Sequence, residues 1–275
     1  MRAALVQLNV SDDPQKNLPG TLAFVNEAAD EGAEIALTPE VTNCVSASRT
    51  RQSEVLADEG ADITLSGIRE VARSRRMWVL VGSLALKGGA DDRFVNRSFL
   101  IEPNGQIAAR YDKMHMFDVA ISETETYAES KGYAPGARAV TADALGARWG
   151  LTICYDVRFP YLYRALAKAG AEVLTVPSAF APDTGAAHWE ILLRARAIET
   201  GSFILAPAQC GTHSASRGRT RSTHGHSLAI DPWGRILADG GDMPGVTLVD
   251  LDLSAVKDVR RRIPSLTHDR EFEGP

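Results

Sequence analysis

The 275-residue chain is poor in cysteine: Cys44, Cys154 and Cys210 stand far apart. They make neither the dense framework of a disulfide-held domain nor a CxxC pair for zinc, and they fit a reducing compartment, the cytoplasm by default. Long apolar runs are absent as well. No stretch reaches the roughly 20 residues that span a bilayer, and the apolar start, Met1 to Leu8, is broken too soon for a signal peptide. No membrane partner is expected. Excess positive charge is also missing: 30 lysines and arginines face 35 acids, for a formal net charge of -5. That balance removes any general attraction to nucleic acid or acidic lipid. The basic clusters at 73–76, 217–221 and 260–262 read as solvated helix faces or loops. Neither a linker nor a fixed-period repeat interrupts the chain.

What is present is an apolar content of 44 %, ample for one sizeable core. A single domain over 1–275 is expected, with 252–275 as a C-terminal tail. Short Val/Ile/Leu runs alternate with longer helical patterns, which predicts an α/β fold with largely buried strands. Strands are expected at 3–8, 34–38 and 78–86, with a hairpin of 96–102 and 106–111 around Pro103-Asn104-Gly105. Asp13-Pro14 caps a first helix towards Gly32, which Pro19-Gly20 should kink or delay, and 62–75 forms another. The second half repeats the logic: a strand ending at Cys154, a helix from Pro160 to Ala169, a strand at 172–176, a helix at 186–200, then strands at 203–208 and 226–230. The likeness of the halves is compatible with a pseudo-symmetric sandwich without establishing one.

Cys154 ends the apolar run Trp149-Gly150-Leu151-Thr152-Ile153 and opens the polar turn Tyr155-Asp156-Val157-Arg158-Phe159-Pro160. A rigid strand-to-turn position beside unsatisfied helix N–H groups would favour a thiolate nucleophile. On local context alone, inert packing is the commoner fate of a free cysteine. Two further polar residues follow predicted strands: Glu40 after Leu37-Thr38-Pro39, and Lys113 in Tyr111-Asp112-Lys113-Met114-His115. Ligands collect at the C-terminal ends of strands in α/β folds, so a base, a cation and a thiol can converge there. The glutamate can take the thiol proton. The lysine and the backbone N–H of Tyr155 can hold an oxyanion.

These motifs, in this order and spacing, resemble the nitrilase, or carbon–nitrogen hydrolase, superfamily over nearly the whole chain. The resemblance implies a Glu-Lys-Cys triad of Glu40, Lys113 and Cys154, and a second glutamate at Glu129 in Tyr127-Ala128-Glu129-Ser130. It implies amide hydrolysis through a thioester, with no metal and no organic cofactor. It also implies an αββα sandwich that pairs into a four-layer homodimer or higher homo-oligomer, with the tail at 256–269 offered to that contact or packed on its own domain.

After the cysteine, Tyr155-Asp156-Val157-Arg158-Phe159-Pro160 is similar to the dicarboxylate-monoamide branch, omega-amidase and deaminated glutathione amidase. Pro177-Ser178-Ala179-Phe180 and Gly225-His226-Ser227 favour the latter. The expected partner is therefore a small amide substrate. Arg158 offers a planar fork to a substrate carboxylate, against a structural ion pair with Asp156 or Glu190, and Phe180 and Thr184 are expected on the pocket wall. Cys44 reads as packing with the pocket wall as alternative. His188, His224 and His226 are unpromising metal ligands, since the last two should alternate faces on a strand. A papain-like protease would leave Glu40 and Lys113 unexplained, and a non-catalytic scaffold should have lost the triad.

Overall fold

Every residue of β1 (Arg2–Gln7) after Arg2 is buried, as expected for a strand covered on both faces. In this computed structural model, which describes residues 1–120 and 126–274, β1 is followed by α1 (Pro14–Asp30), β2 (Ile35–Leu37), α2 (Arg49–Val55), α3 (Ile63–Arg75) and β3 (Trp78–Leu86). The chain then folds back through β4 (Val95–Ile101) and β5 (Ile107–Asp112), and a ribbon of β6 (Asp118–Ala120) and β7 (Thr126–Ala128) follows. The second half runs β8 (Val140–Ala144), β9 (Ala147–Leu151), α4 (Pro160–Lys168), β10 (Val173–Thr175), α5 (Pro182–Thr200) and β11 (Phe203–Ala206). A second ribbon, β12 (Cys210–His213) with β13 (Arg221–His224), precedes β14 (Leu228–Ile230), β15 (Ile236–Asp239), β16 (Gly245–Asp250) and α6 (Ser254–Arg262).

Two six-stranded sheets result, ordered β16-β1-β2-β3-β4-β5 and β8-β9-β10-β11-β14-β15. Read in these directions, both step antiparallel, parallel, parallel, antiparallel, antiparallel. The pseudo-symmetry left open by the sequence is therefore present in the topology. Side-chain alternation sets the layers. Leu5, Leu37 and Leu80 of the first sheet share a core with Trp149, Leu151, Phe203 and the helix residues Leu166, Trp189 and Leu193. Ala4, Val6 and Val79 face the other way, against Val25 and Ala28 of α1 and Ile68 and Ala72 of α3. The arrangement is an αββα sandwich.

Local departures from expectation have simple causes. α1 starts at Pro14, capped by Asp13, which accepts from the Gln15 N–H at 3.1 Å. Pro19 lies inside α1 without delaying its start, at the cost of one intrahelical hydrogen bond. α2, unforeseen for want of an apolar period, is started by Ser48, whose Oγ accepts from the Arg51 N–H at 3.3 Å. α5 begins at Pro182, four residues ahead of the predicted 186, with proline at its first turn. In the tail, α6 buries Val256 and Val259 on its own domain while Ile263 stays 52 % exposed; Pro275 lies outside the described residues.

Candidate active site

Both β2 and β9 leave their sheets through strained turns. Cys154 has φ 49° and Val41, directly after Glu40, has φ 48°, a left-handed conformation that is costly for a β-branched residue. The Val41 N–H is held by Ser83 Oγ at 2.8 Å, and the Cys154 N–H by the Pro177 carbonyl at 3.0 Å. These anchors fix the direction in which the two side chains leave the sheets. Lys113, one residue past β5, is anchored through its N–H to the Asn96 carbonyl at 2.9 Å.

The buried Asp156 ties the thiol turn to the lysine segment. Its Oδ2 accepts from Tyr111 Oη at 2.6 Å and the Ile153 N–H at 2.8 Å, and its Oδ1 from the His115 N–H at 3.1 Å, with His115 Nδ1 at 2.6 Å. The His115 ring stacks on Phe159 with centroids 3.6 Å apart. Tyr111, His115 and Phe159, conspicuous in the sequence motifs, thus act on the geometry of Lys113 and Cys154.

The side chains of Glu40, Lys113, Glu129 and Cys154 meet at the floor of one cavity of about 510 Å³. Glu40 Oε1 accepts from Lys113 Nζ and Asn96 Nδ2, both at 2.9 Å, and Oε2 from the Ala179 N–H at 2.9 Å. The Cys154 thiol lines the same cavity, near enough for its charge state and that of this carboxylate to influence each other. Lys113 Nζ lies 2.9 and 3.1 Å from the two oxygens of Glu129, whose Oε2 is held in turn by the Phe117 N–H at 2.6 Å. Burial pushes the Glu40 carboxyl up, but the Lys113 charge and its hydrogen bonds prevail and hold it below the ordinary range. Burial opposes the charge of Lys113, yet Glu129 and Glu40 raise its pKa well above the usual value. The resting pair is carboxylate and ammonium.

For Cys154 the outcome differs from the thiolate expected at a turn N-terminus. Burial and the adjacent Glu40 carboxylate raise its pKa, outweighing Lys113, so the resting group is a thiol with a base beside it. Such an arrangement can deprotonate sulfur as it attacks a carbonyl, leaving the developing oxyanion to Lys113 and to the Tyr155 N–H, which has no acceptor among the described residues.

Tyr155, Phe180 and Thr184 line the cavity, as does Cys44. Burial pushes the Cys44 thiol up to about 12. Arg158 is not on the lining. Its guanidinium lies over the rings of Phe180 and Tyr155, at 5.6 and 5.9 Å, and Nη2 meets His188 Nδ1 at 3.2 Å, so neither of the ion pairs weighed from the sequence forms. The arginines that do line the cavity are Arg49, Arg219 and Arg221. The last two correct the reading of 217–221 as a solvated loop. They reach the site because the β12–β13 ribbon folds over it, information that one basic cluster does not carry. Asn96 was also missed, although an asparagine inside a predicted strand is a signal of a buried polar task. His224 and His226 do not alternate faces: Gly225 and His226 have φ 78° and 54°, and the two rings come together at 4.8 Å. Among the described residues no group of three or more His, Cys, Asp or Glu is placed to hold a metal.

The pattern characteristic of carbon-nitrogen hydrolases matches residues 2–261. The chain belongs to the carbon–nitrogen hydrolase family. It is 39 % identical over 270 residues to the deaminated glutathione amidase of Yersinia enterocolitica, covering 97 % of this chain and 92 % of that protein. The C. elegans NitFhit structure superposes with a TM-score of 0.90 at 33 % identity, over 98 % of this chain and 65 % of that longer one. A mutant of the amidase from Nesterenkonia sp. AN1, which shows Michael addition of acrylamide at its active site cysteine, superposes with a TM-score of 0.77 at 28 % identity, over 96 % and 98 % of the two chains. This carbon–nitrogen hydrolase is thus an amidase, acting on C–N bonds other than peptide bonds.

Proposed function

We propose that this amidase cleaves the amide of a short 2-oxo dicarboxylate, with deaminated glutathione as its substrate and 2-oxoglutarate and cysteinylglycine as products. The observation that carries the reading is the convergence of Cys154 with a Glu40 carboxylate that binds Lys113, at the floor of one cavity lined by arginines. Glu40 accepts the thiol proton as sulfur bonds to the amide carbon, and the carbonyl electrons move to an oxygen held by Lys113 and the Tyr155 N–H. Glu40 returns the proton to the departing amine as the C–N bond breaks, leaving a thioester. Water, deprotonated by Glu40 beside a Lys113 oriented by Glu129, then adds to the thioester and releases acid and thiol.

Arg221 takes the carboxylate of the acyl chain in this reading, in place of Arg158. It lines the cavity, donates from Nη2 to the Ala179 carbonyl at 3.0 Å, and lies close enough to Glu40 to lower its pKa. Phe180 and Thr184 flank that chain. The enzyme is further read as a cytoplasmic homodimer: its three cysteines are free, no helix among the described residues is long and apolar enough to cross a membrane, and α5 exposes Ile191 and Ile198 at 69 and 52 % beside Trp233 at 39 %. Sedimentation of the wild type and of Ile198→Glu tests the pairing, which a wild-type monomer overturns.

The substrate is tested by product analysis with deaminated glutathione and 2-oxoglutaramate supplied separately. Faster cleavage of the former, abolished in a folded Cys154→Ala, is the expected result. A preference for 2-oxoglutaramate, or for uncharged aliphatic amides, refutes the assignment.

A further inference from the structure

In a protein of formal net charge -5, the described residues of the cavity wall carry four cations, Lys113, Arg49, Arg219 and Arg221, against two carboxylates, Glu40 and Glu129. Lys113 is engaged by both carboxylates. The arginines therefore leave an excess of positive charge facing the space a substrate would fill. They differ in depth. Arg221 is partly buried and interacts with Glu40, whereas Arg49 and Arg219 are exposed at the mouth.

The two mouth arginines are held by aromatic rings and not, among the described residues, by carboxylates. The Arg49 guanidinium lies 4.9 Å from the centre of the Tyr133 ring and donates from Nη1 to Gln52 Oε1 at 2.9 Å, and Gln52 Nε2 donates to Tyr133 Oη at 2.9 Å. The Arg219 guanidinium lies 5.2 Å from the centre of the Tyr127 ring. Among the described residues neither has a carboxylate partner, although Arg217, two positions before Arg219, pairs with Glu54 at 2.6 Å. Stacking against an aromatic face orients a guanidinium yet leaves the donors along its edge available.

From this we infer that Arg49 and Arg219 form an anion subsite at the cavity mouth that binds a carboxylate carried by the departing amine. The inference rests on the amidase reading above and deepens it. The acyl carboxylate is held near the floor by Arg221, the scissile amide reaches Cys154, and a leaving group that ends like a peptide C-terminus extends outwards to the mouth. Ammonia, the leaving group of a primary amide, makes no use of this subsite, so the preferred substrates carry a carboxylate on both sides of the bond that breaks.

The test compares deaminated glutathione with the same molecule whose glycine carboxylate is converted to the carboxamide, by kcat/KM at low and high salt. The wild type is expected to favour the carboxylate form by about 10-fold or more, as for a charge-assisted pair in a partly enclosed site, with the preference shrinking as salt screens it. In Arg49→Gln/Arg219→Gln the ratio should fall to within about threefold, and Arg49→Glu/Arg219→Glu should invert it, with Arg49→Lys/Arg219→Lys between wild type and the glutamine pair. A wild type that hydrolyses both compounds equally well, or a ratio unmoved in the glutamine and glutamate pairs, overturns the subsite while the amidase assignment stands. A wild type that hydrolyses neither overturns both.

Discussion

Asn96 donates from Nδ2 to Glu40 Oε1 at 2.9 Å, the same oxygen that accepts from Lys113. Asn96 is 2 % exposed and its Oδ1 has no partner, so the side chain is spent on one contact. Its role is to hold the base where the thiol can reach it. Asn96→Leu should lower kcat by about 10-fold or more while KM changes little, as expected when a positioned base loses part of its geometry. It should also raise the acid limb of kcat/KM, since one donor to the carboxylate is gone. Asn96→Ser, which keeps a donor, should recover part of the loss. A limb that stays in place while kcat falls would reduce Asn96 to packing.

The protonation states of the site set its pH response. Glu40 is held below 4.5 in the folded protein, so its carboxylate contributes stability that is present above that value and lost as the pH falls through the lowered one. The same sign applies to the rate: the base survives to acidities where a free glutamate is half protonated. Lys113, raised above 10.5, keeps its charge on the alkaline side. With the Cys154 thiol raised, alkylation by iodoacetamide should climb with pH without a thiolate plateau near neutrality. In Lys113→Met, alkylation should slow further, because the charge that favours thiolate is removed. A neutral plateau in the wild type, or unchanged alkylation in the variant, would contradict this arrangement.

Much of the site could be read along the chain because its motifs are compact. Cys154, Lys113 and Glu40 each follow a strand, and strand ends are visible in the apolar pattern. The depth order of the arginines was not visible, since Arg49 and Arg219 meet only when α2 and the β12–β13 ribbon fold towards the same cavity. Arg158 shows the reverse: nearness in sequence without a place on the cavity wall. Four positions from Cys154 in sequence, it emerges from the turn on the far side of Phe180 and Tyr155, because the single turn spanning Cys154–Arg158 rotates successive side chains away from one another. Most strands of the two sheets were legible, but the edge strands β8 and β16 were not. Nor was the sheets' shared order, as it depends on β16 returning from the chain end to pair with β1.

Gly82 lies where the two halves of the site are built against each other. A Cβ there would sit 1.9 Å from the Thr38 carbonyl oxygen, 2.6 Å from that of Pro39 and 2.5 Å from Pro177 Cβ. Thr38 and Pro39 lead into Glu40, and the Pro177 carbonyl receives the Cys154 N–H. Gly82→Ala must therefore displace the base, the nucleophile or both. Thermal unfolding should show a loss of about 1–3 kcal/mol from overpacking, with kcat/KM down by about 10-fold or more. Wild-type stability and activity in this variant would mean that the backbone yields there without cost.

Arg158 supplies the contrasting case. Its nearest polar partner is His188, its guanidinium is partly exposed, and the cavity wall between it and the substrate space is formed by Phe180 and Tyr155. Replacing a partly exposed side chain away from the reacting groups shifts energies by about 0.5 kcal/mol or less, which is roughly a twofold change in rate. Arg158→Gln should accordingly leave kcat/KM for deaminated glutathione within about threefold of wild type, whereas Arg221→Gln should raise KM by about 10-fold or more by stranding the acyl carboxylate. Steady-state kinetics on the two variants decide between the residues. If Arg158→Gln proves the more damaging, the carboxylate belongs to Arg158 and the aromatic wall between it and the cavity must open when substrate binds.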